Sequence, residues 1–154
     1  MWQIESSSSD ATYAIGERFG NLCRGGEVFV LSSDLGGGKT TFTKGLAAGA
    51  GCKDIVGSPS FTINRIYPCT NNRTLYHFDF YRLGDAGIVG QELKEALEEP
   101  GSIVVIEWAD IVKDLLPKRS INIVFERIAD NENARQLSIE YPEGMSYLIT
   151  RTKK

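Results

Sequence analysis

A chain of 154 residues, 42% hydrophobic and 24% charged, is long enough to bury one core but not two. Its formal net charge of -3 argues against a protein that grips nucleic acid by its own surface, because neutralising phosphates takes clustered Lys and Arg. No stretch has the apolar length of a membrane span and the N-terminus lacks a charged-then-apolar signal pattern, so one cytoplasmic domain over residues 1–154 is expected.

Trp2, Gln3, Ile4 and Glu5 suit a short edge strand. Asp10 is the expected N-cap of a helix in which Ala11, Ile15, Phe19 and Leu22 recur at helical spacing, with Gly25 and Gly26 as its stop. Val28, Phe29, Val30 and Leu31 then form a short apolar run, the first core strand.

Directly after that run, residues 33–40 read SDLGGGKT, which fits the phosphate-binding pattern GxxxxGK[ST] everywhere except its first glycine, here Ser33. The pattern works because a glycine-rich turn points successive backbone N–H groups inward, and the following helix favours an anion at its N-terminus. Gly36, Gly37 and Gly38 supply the permissive backbone, Lys39 would reach the β- and γ-phosphates, and the Thr40 hydroxyl would coordinate Mg²⁺. The helix follows as required, with Phe42, Leu46, Ala47 and Ala50 on one face and Gly49 and Gly51 at its end. Serine is the mildest replacement for the missing glycine, so the loop is expected to survive it.

The next segment, SPSFT at residues 58–62, is a hydroxyl-rich turn placed where nucleotide-sensing switch segments follow a phosphate loop. Asn71 and Asn72 divide two strand-like runs, residues 64–67 and 74–81, into an antiparallel hairpin. Alternation puts Leu75, His77, Asp79 and Tyr81 on one face of the second run and Tyr76, Phe78 and Phe80 on the other. His77 is the only histidine and shows no Ser or Cys nucleophile to pair with, which favours a structural role. Residues 91–98 read as a surface helix with Leu93 and Leu97 at i, i+4, ended by Pro100 and Gly101.

Ile103, Val104, Val105 and Ile106 form a continuous apolar run, the mark of a strand buried on both faces, and Glu107 ends it. If that strand runs parallel to the first, Glu107 emerges at the same sheet edge as the phosphate loop, where a carboxylate helps hold Mg²⁺ or orients water. Asp79 competes for that role, and the residues leave open which acid touches the metal. Residues 111–116 make a short amphipathic turn, and residues 121–125 and 136–141 a final hairpin across a polar loop at 130–134. Cys23, Cys52 and Cys69 are odd in number, widely spaced and in no CxxC pair, which predicts reduced thiols and neither a disulfide framework nor a zinc site.

Together these elements predict a three-layer α/β P-loop domain with a mixed, mainly parallel sheet, since two hairpins rule out an all-parallel one. A Mg²⁺-dependent ATPase is the expected function; a small-molecule kinase and a nucleotide-sensing module without turnover are the alternatives.

DLGGGKTTF, SPSFT, HFDFYRL and IEW, in this order and spacing, resemble the TsaE (formerly YjeE) family over residues 10–125, the ATPase component of bacterial tRNA threonylcarbamoyladenosine synthesis. The resemblance implies ATP bound by Leu35, Gly36, Gly37, Gly38, Lys39, Thr40 and Thr41, Mg²⁺ at Thr40 and Glu107, and Asp79 near the γ-phosphate. It also implies that Thr12 helps bound the nucleotide, and that the partner is the TsaB–TsaD pair, with tRNA reached only through that complex. Ser33 for glycine and Ser60 for the usual threonine are the two departures from the family pattern. Arg82 is the nearest candidate in cis for a cation at the transferring phosphoryl group.

Overall fold

The computed structural model describes residues 1–33, 37–53, 64–81 and 87–150. Seven strands form one sheet in the order β1-β7-β6-β2-β5-β4-β3: β1 Trp2–Ser6, β2 Val28–Ser32, β3 Asn64–Pro68, β4 Thr74–Asp79, β5 Ser102–Glu107, β6 Ile121–Ile128 and β7 Asn131–Glu140. The four central strands β6, β2, β5 and β4 run parallel. The antiparallel pairings lie outside them, β1 on β7, β7 on β6 and β3 on β4. The sheet is therefore mixed with a parallel centre, as the two hairpins in the sequence require.

Helices cover both faces, giving three layers. On one face α1 Ser9–Leu22, α2 Lys39–Gly49 and the short α4 Tyr147–Thr150 pack over Phe29, Leu31, Leu75, Val105, Ile123 and Leu137. On the other, α3 Gly87–Glu98 and the 3-10 helix Ala109–Leu115 cover Val28, Phe78, Val104 and Ile106. The alternating strands separate the two cores, and β5, whose six residues are all buried, contributes to both.

Glycines set how closely α1 approaches α2. A methyl at Gly16 or Gly20 would collide with the carbonyl oxygens of Phe42 or Leu46, and one at Gly45 or Gly49 with those of Tyr13 or Glu17. Two glycines four residues apart on each helix thus let the backbones touch, and the start of α2 is seated by contact along its whole length.

Several local features differ from the sequence reading. The N-cap of α1 is Ser8, whose hydroxyl accepts from the Ala11 N–H, and Asp10 sits inside the first turn. The last hairpin has no long loop: β6 and β7 extend to a turn at Ala129 and Asp130, with an irregularity between Arg127 and Ile128. α3 begins at Gly87, four residues before the expected Gln91. Asn71 and Asn72 both take φ near +60°, a left-handed conformation that asparagine tolerates, and so make the predicted turn between β3 and β4.

The thiol expectation is corrected outright, because Cys52 and Cys69 form a disulfide. They lie 17 residues apart in sequence, and the topology brings the chain after α2 beside the end of β3, a proximity that cysteine spacing does not encode. At the same junction the buried Arg73 guanidinium donates to the carbonyls of Cys23, Ala50 and Thr70. The ends of α1, α2 and β3 are thereby tied together at the end of α2 remote from the phosphate loop.

Candidate functional site

Parallel strands deliver their carboxyl ends to one edge of a sheet, and the chain places its chemistry there. Leu31 of β2 pairs with Glu107 of β5, and Glu107 pairs with Asp79 of β4, so the end of β2 and both acids stand in one row. Register partners on parallel strands share a face; Asp79 and Glu107 therefore project with Leu31 toward the layer that contains α2.

α2 starts on that row. Gly38 is its N-cap, with φ 104° and ψ 3°, a left-handed conformation open to glycine and strained for any side chain. Its carbonyl accepts from the Phe42 N–H, so the helical ladder begins at the loop itself. Thr12 of α1 is buried beside it, since a Cβ placed on Gly38 would lie 3.7 Å from the Thr12 methyl. The Thr12 hydroxyl is held by Ser6 Oγ at 2.6 Å and by the Ser8 carbonyl. The Thr12 side chain consequently meets the loop through its methyl, with its hydroxyl engaged inside the fold.

Lys39 is buried, and its ammonium lies 4.4 Å from the centre of the Trp108 ring. Trp108 follows Glu107 directly in a left-handed conformation, φ 56°. Its indole packs against Tyr81 with ring centres 4.7 Å apart. The Phe80 N–H donates to the Glu107 carbonyl, and Asp79 Oδ1 accepts from the Tyr81 N–H at 2.9 Å. The ends of β4 and β5 are thus laced to each other and, through Lys39, to the start of α2. Thr40 and Thr41 lie in the first turn of that helix, half-buried.

Sequence reasoning missed the contact of Lys39 with Trp108 and, inside this row, one between His77 and Glu107. His77 Nε2 lies 3.0 Å from Glu107 Oε2, with both side chains almost wholly buried. The signal was present in the alternation that put His77 and Asp79 on one face. What it lacked was the register of β4 against β5, which sets His77 diagonally below Glu107.

On the other side of the loop, Ser32, Ser33, Gly37, Phe125 and Arg127 line an open groove of about 440 Å³ between the ends of β2 and β6. Ser33, the departure from the phosphate-loop pattern, is part of its wall. Leu35, Gly36, the segment 58–62 and Arg82 lie outside the described residues.

The residues that could hold a metal here, Thr40 in the first turn of α2 and Glu107 with Asp79 beside it in register, carry oxygen donors. Among the described residues no three His, Cys, Asp or Glu side chains gather into a cage. Such a set fits Mg²⁺, which is held by one or two protein oxygens together with substrate phosphates and retained waters.

The comparisons with known proteins agree on one family. The family model for threonylcarbamoyl adenosine biosynthesis protein TsaE matches residues 6–137. The chain is 39% identical to the tRNA threonylcarbamoyladenosine biosynthesis protein TsaE of Bacillus subtilis over 123 residues, 80% of this chain and 76% of that one. It is 38% identical to the Treponema pallidum protein of the same name, covering 81% and 91%. The crystal structure of Bacillus subtilis YdiB superposes with a TM-score of 0.73 at 31% identity, covering 96% of this chain and 90% of the other.

Proposed function

Because the chain belongs to the TsaE family of threonylcarbamoyl adenosine biosynthesis proteins, we propose that it is a Mg²⁺-dependent ATPase acting in formation of threonylcarbamoyladenosine on tRNA, as one ATPase domain working with the TsaB–TsaD pair. The observation that carries the reading is the row at the sheet edge, where Asp79 pairs with Glu107 and Lys39, at the start of α2, lies over the ring of Trp108, the residue after Glu107.

In this reading ATP lies along the loop with its phosphates at the α2 N-terminus, where Gly37, Gly38, Lys39, Thr40 and Thr41 meet them. The groove beside Ser33 and Phe125 is open enough for the nucleoside. Backbone N–H groups and the Lys39 ammonium offset charge on the phosphates. Thr40 and Glu107 would hold Mg²⁺, which would supply positive charge to offset that of the phosphates. Asp79 or Glu107 orients a water that adds to the γ-phosphorus; the bond to the ADP oxygen breaks, and ADP and inorganic phosphate leave. With a net charge of -3 the chain is ill suited to hold tRNA itself, which supports contact with tRNA only through the complex.

The test is phosphate release by the purified chain with and without TsaB–TsaD. Slow release alone, marked stimulation by the pair and ATP-favoured assembly of all three are expected. Fast hydrolysis by the isolated chain, indifferent to the pair, would refute the partnership; no nucleotide binding at all would refute the site.

A further inference from the structure

We infer that His77 is a positioning residue for Glu107: its imidazole holds one carboxylate oxygen so that the other is presented to the divalent cation. This rests on the proposed nucleotide site and deepens it.

The strand register dictates the geometry. His77 pairs with Val105 and Asp79 with Glu107 on adjacent parallel strands, so the imidazole projects on the same face as the carboxylate, one step further from the sheet edge. Nε2 reaches Oε2 at 3.0 Å, and the side chains are 0% and 4% exposed, so water does not compete for the contact. Facing a carboxylate oxygen, Nε2 carries the hydrogen and donates it, with Oε2 as acceptor. Among the described residues Nδ1 has no hydrogen-bond partner and Glu107 is the ring's polar contact.

A packing role alone does not account for an imidazole here. Its neighbours on this face are the apolar Leu75 and Val105, with Asp79 two residues on and Arg65 across on β3; burying the ring costs free energy, and the hydrogen bond to Glu107 offsets it. A direct catalytic role is disfavoured by the same geometry, since the ring is fully buried and its one engaged nitrogen faces the carboxylate. What the contact does is stop the Glu107 carboxylate from turning. A carboxylate ligand fixed in this way binds its cation better, and loss of such an outer partner typically costs about 10–100-fold in metal affinity or activity.

The test uses three variants of the full chain. His77→Gln keeps an amide N–H at about the reach of Nε2, His77→Asn keeps an amide one bond too short for Oε2, and His77→Leu keeps bulk without a donor. For each, thermal melting reports folding, and calorimetry with ATP reports affinity in chelator and the Mg²⁺ concentration giving half of the metal-dependent gain. His77→Asn and His77→Leu should need about 10–100-fold more Mg²⁺, with affinity in chelator changed little. His77→Gln should recover to within a few-fold of the parent, and His77→Asn should add nothing in a Glu107→Gln background. A folded His77→Asn with the parent's Mg²⁺ requirement, or His77→Gln no better than His77→Asn, overturns the positioning role alone. A parent chain whose ATP affinity ignores Mg²⁺ overturns the cation role of Glu107, and this inference with it; a parent that binds no ATP overturns the nucleotide-site reading itself.

Discussion

The Lys39 ammonium rests over the Trp108 indole, 4.4 Å from its centre, although the phosphate-loop pattern reserves that charge for a nucleotide. The ammonium is buried, and the ring presents its negative face to it. On the proposed function, phosphate oxygens of ATP compete with the ring for this ammonium, and Trp108 should register the exchange.

Lys39→Ala is expected to weaken ATP binding at least tenfold, which corresponds to about 1.4 kcal/mol. The parent should also change its tryptophan fluorescence on adding ATP, and Trp108→Phe should abolish most of that change while Trp2 remains. Calorimetry returning the same affinity for Lys39→Ala would remove Lys39 from the site.

Asp79 and Glu107 are neighbours in register but are not equivalent. Glu107 is tethered through one oxygen to His77, whereas Asp79 Oδ1 accepts the Tyr81 N–H and shapes the turn after β4. Asp79→Asn and Glu107→Gln should both lower hydrolysis more than binding. Only Glu107→Gln should raise the Mg²⁺ requirement, and a titration giving the reverse order would exchange the two roles.

Much of the site was legible because its determinants are local. A glycine run before Lys39 places it at a helix start, and an apolar run before Glu107 and alternation through Asp79 place those two acids at strand ends, from sequence alone. What stayed hidden depends on register and close approach. The His77–Glu107 pair needs β4 aligned on β5, the Lys39–Trp108 contact needs Trp108 in a left-handed conformation, and the Cys52–Cys69 bond needs the chain after α2 beside the end of β3. The glycines of α1 and α2 are the intermediate case. Gly16 and Gly20, like Gly45 and Gly49, stand four apart in the sequence, yet their meaning appears only once the two helices face each other.

At the C-terminal side, α4 is fastened by Tyr147, whose hydroxyl donates to Glu27 Oε1 at 2.7 Å. Burial, followed by the hydrogen bond to Glu27 and that residue's negative charge, pushes the phenol well above its ordinary value near 10. The unfolded chain therefore ionises this tyrosine at a lower pH than the folded one does, and stability falls as pH rises beyond about 10. The contribution is complete below that pH. Denaturant unfolding followed from pH 8 to 11.5 should show this decline in the parent and a flatter profile in Tyr147→Phe; identical profiles would exclude Tyr147 as its source.

The disulfide gives the last expectation. Cys52 and Cys69 close a loop with a sequence separation of 17, for which chain entropy alone predicts roughly 3 kcal/mol of stabilisation. The junction has other ties, since Thr70 Oγ1 and the Arg73 guanidinium both donate to the Ala50 carbonyl. Reduction should accordingly weaken the fold without abolishing it. For a domain of this size each kcal/mol moves the melting temperature by about 2–4 °C, so reductant should lower it by about 6–12 °C. The Cys52→Ser, Cys69→Ser double variant should melt near the reduced parent and ignore reductant. Thiol counting supplies the control, because Cys23 is buried and its thiol is pushed well above its ordinary range, first by burial and then by Glu27. The native oxidised chain should therefore show no fast-reacting thiol, and the reduced chain two, from the half-buried Cys52 and Cys69. Equal melting temperatures with and without reductant would show that the bond contributes nothing to stability; two fast thiols before reduction would show that it is not formed.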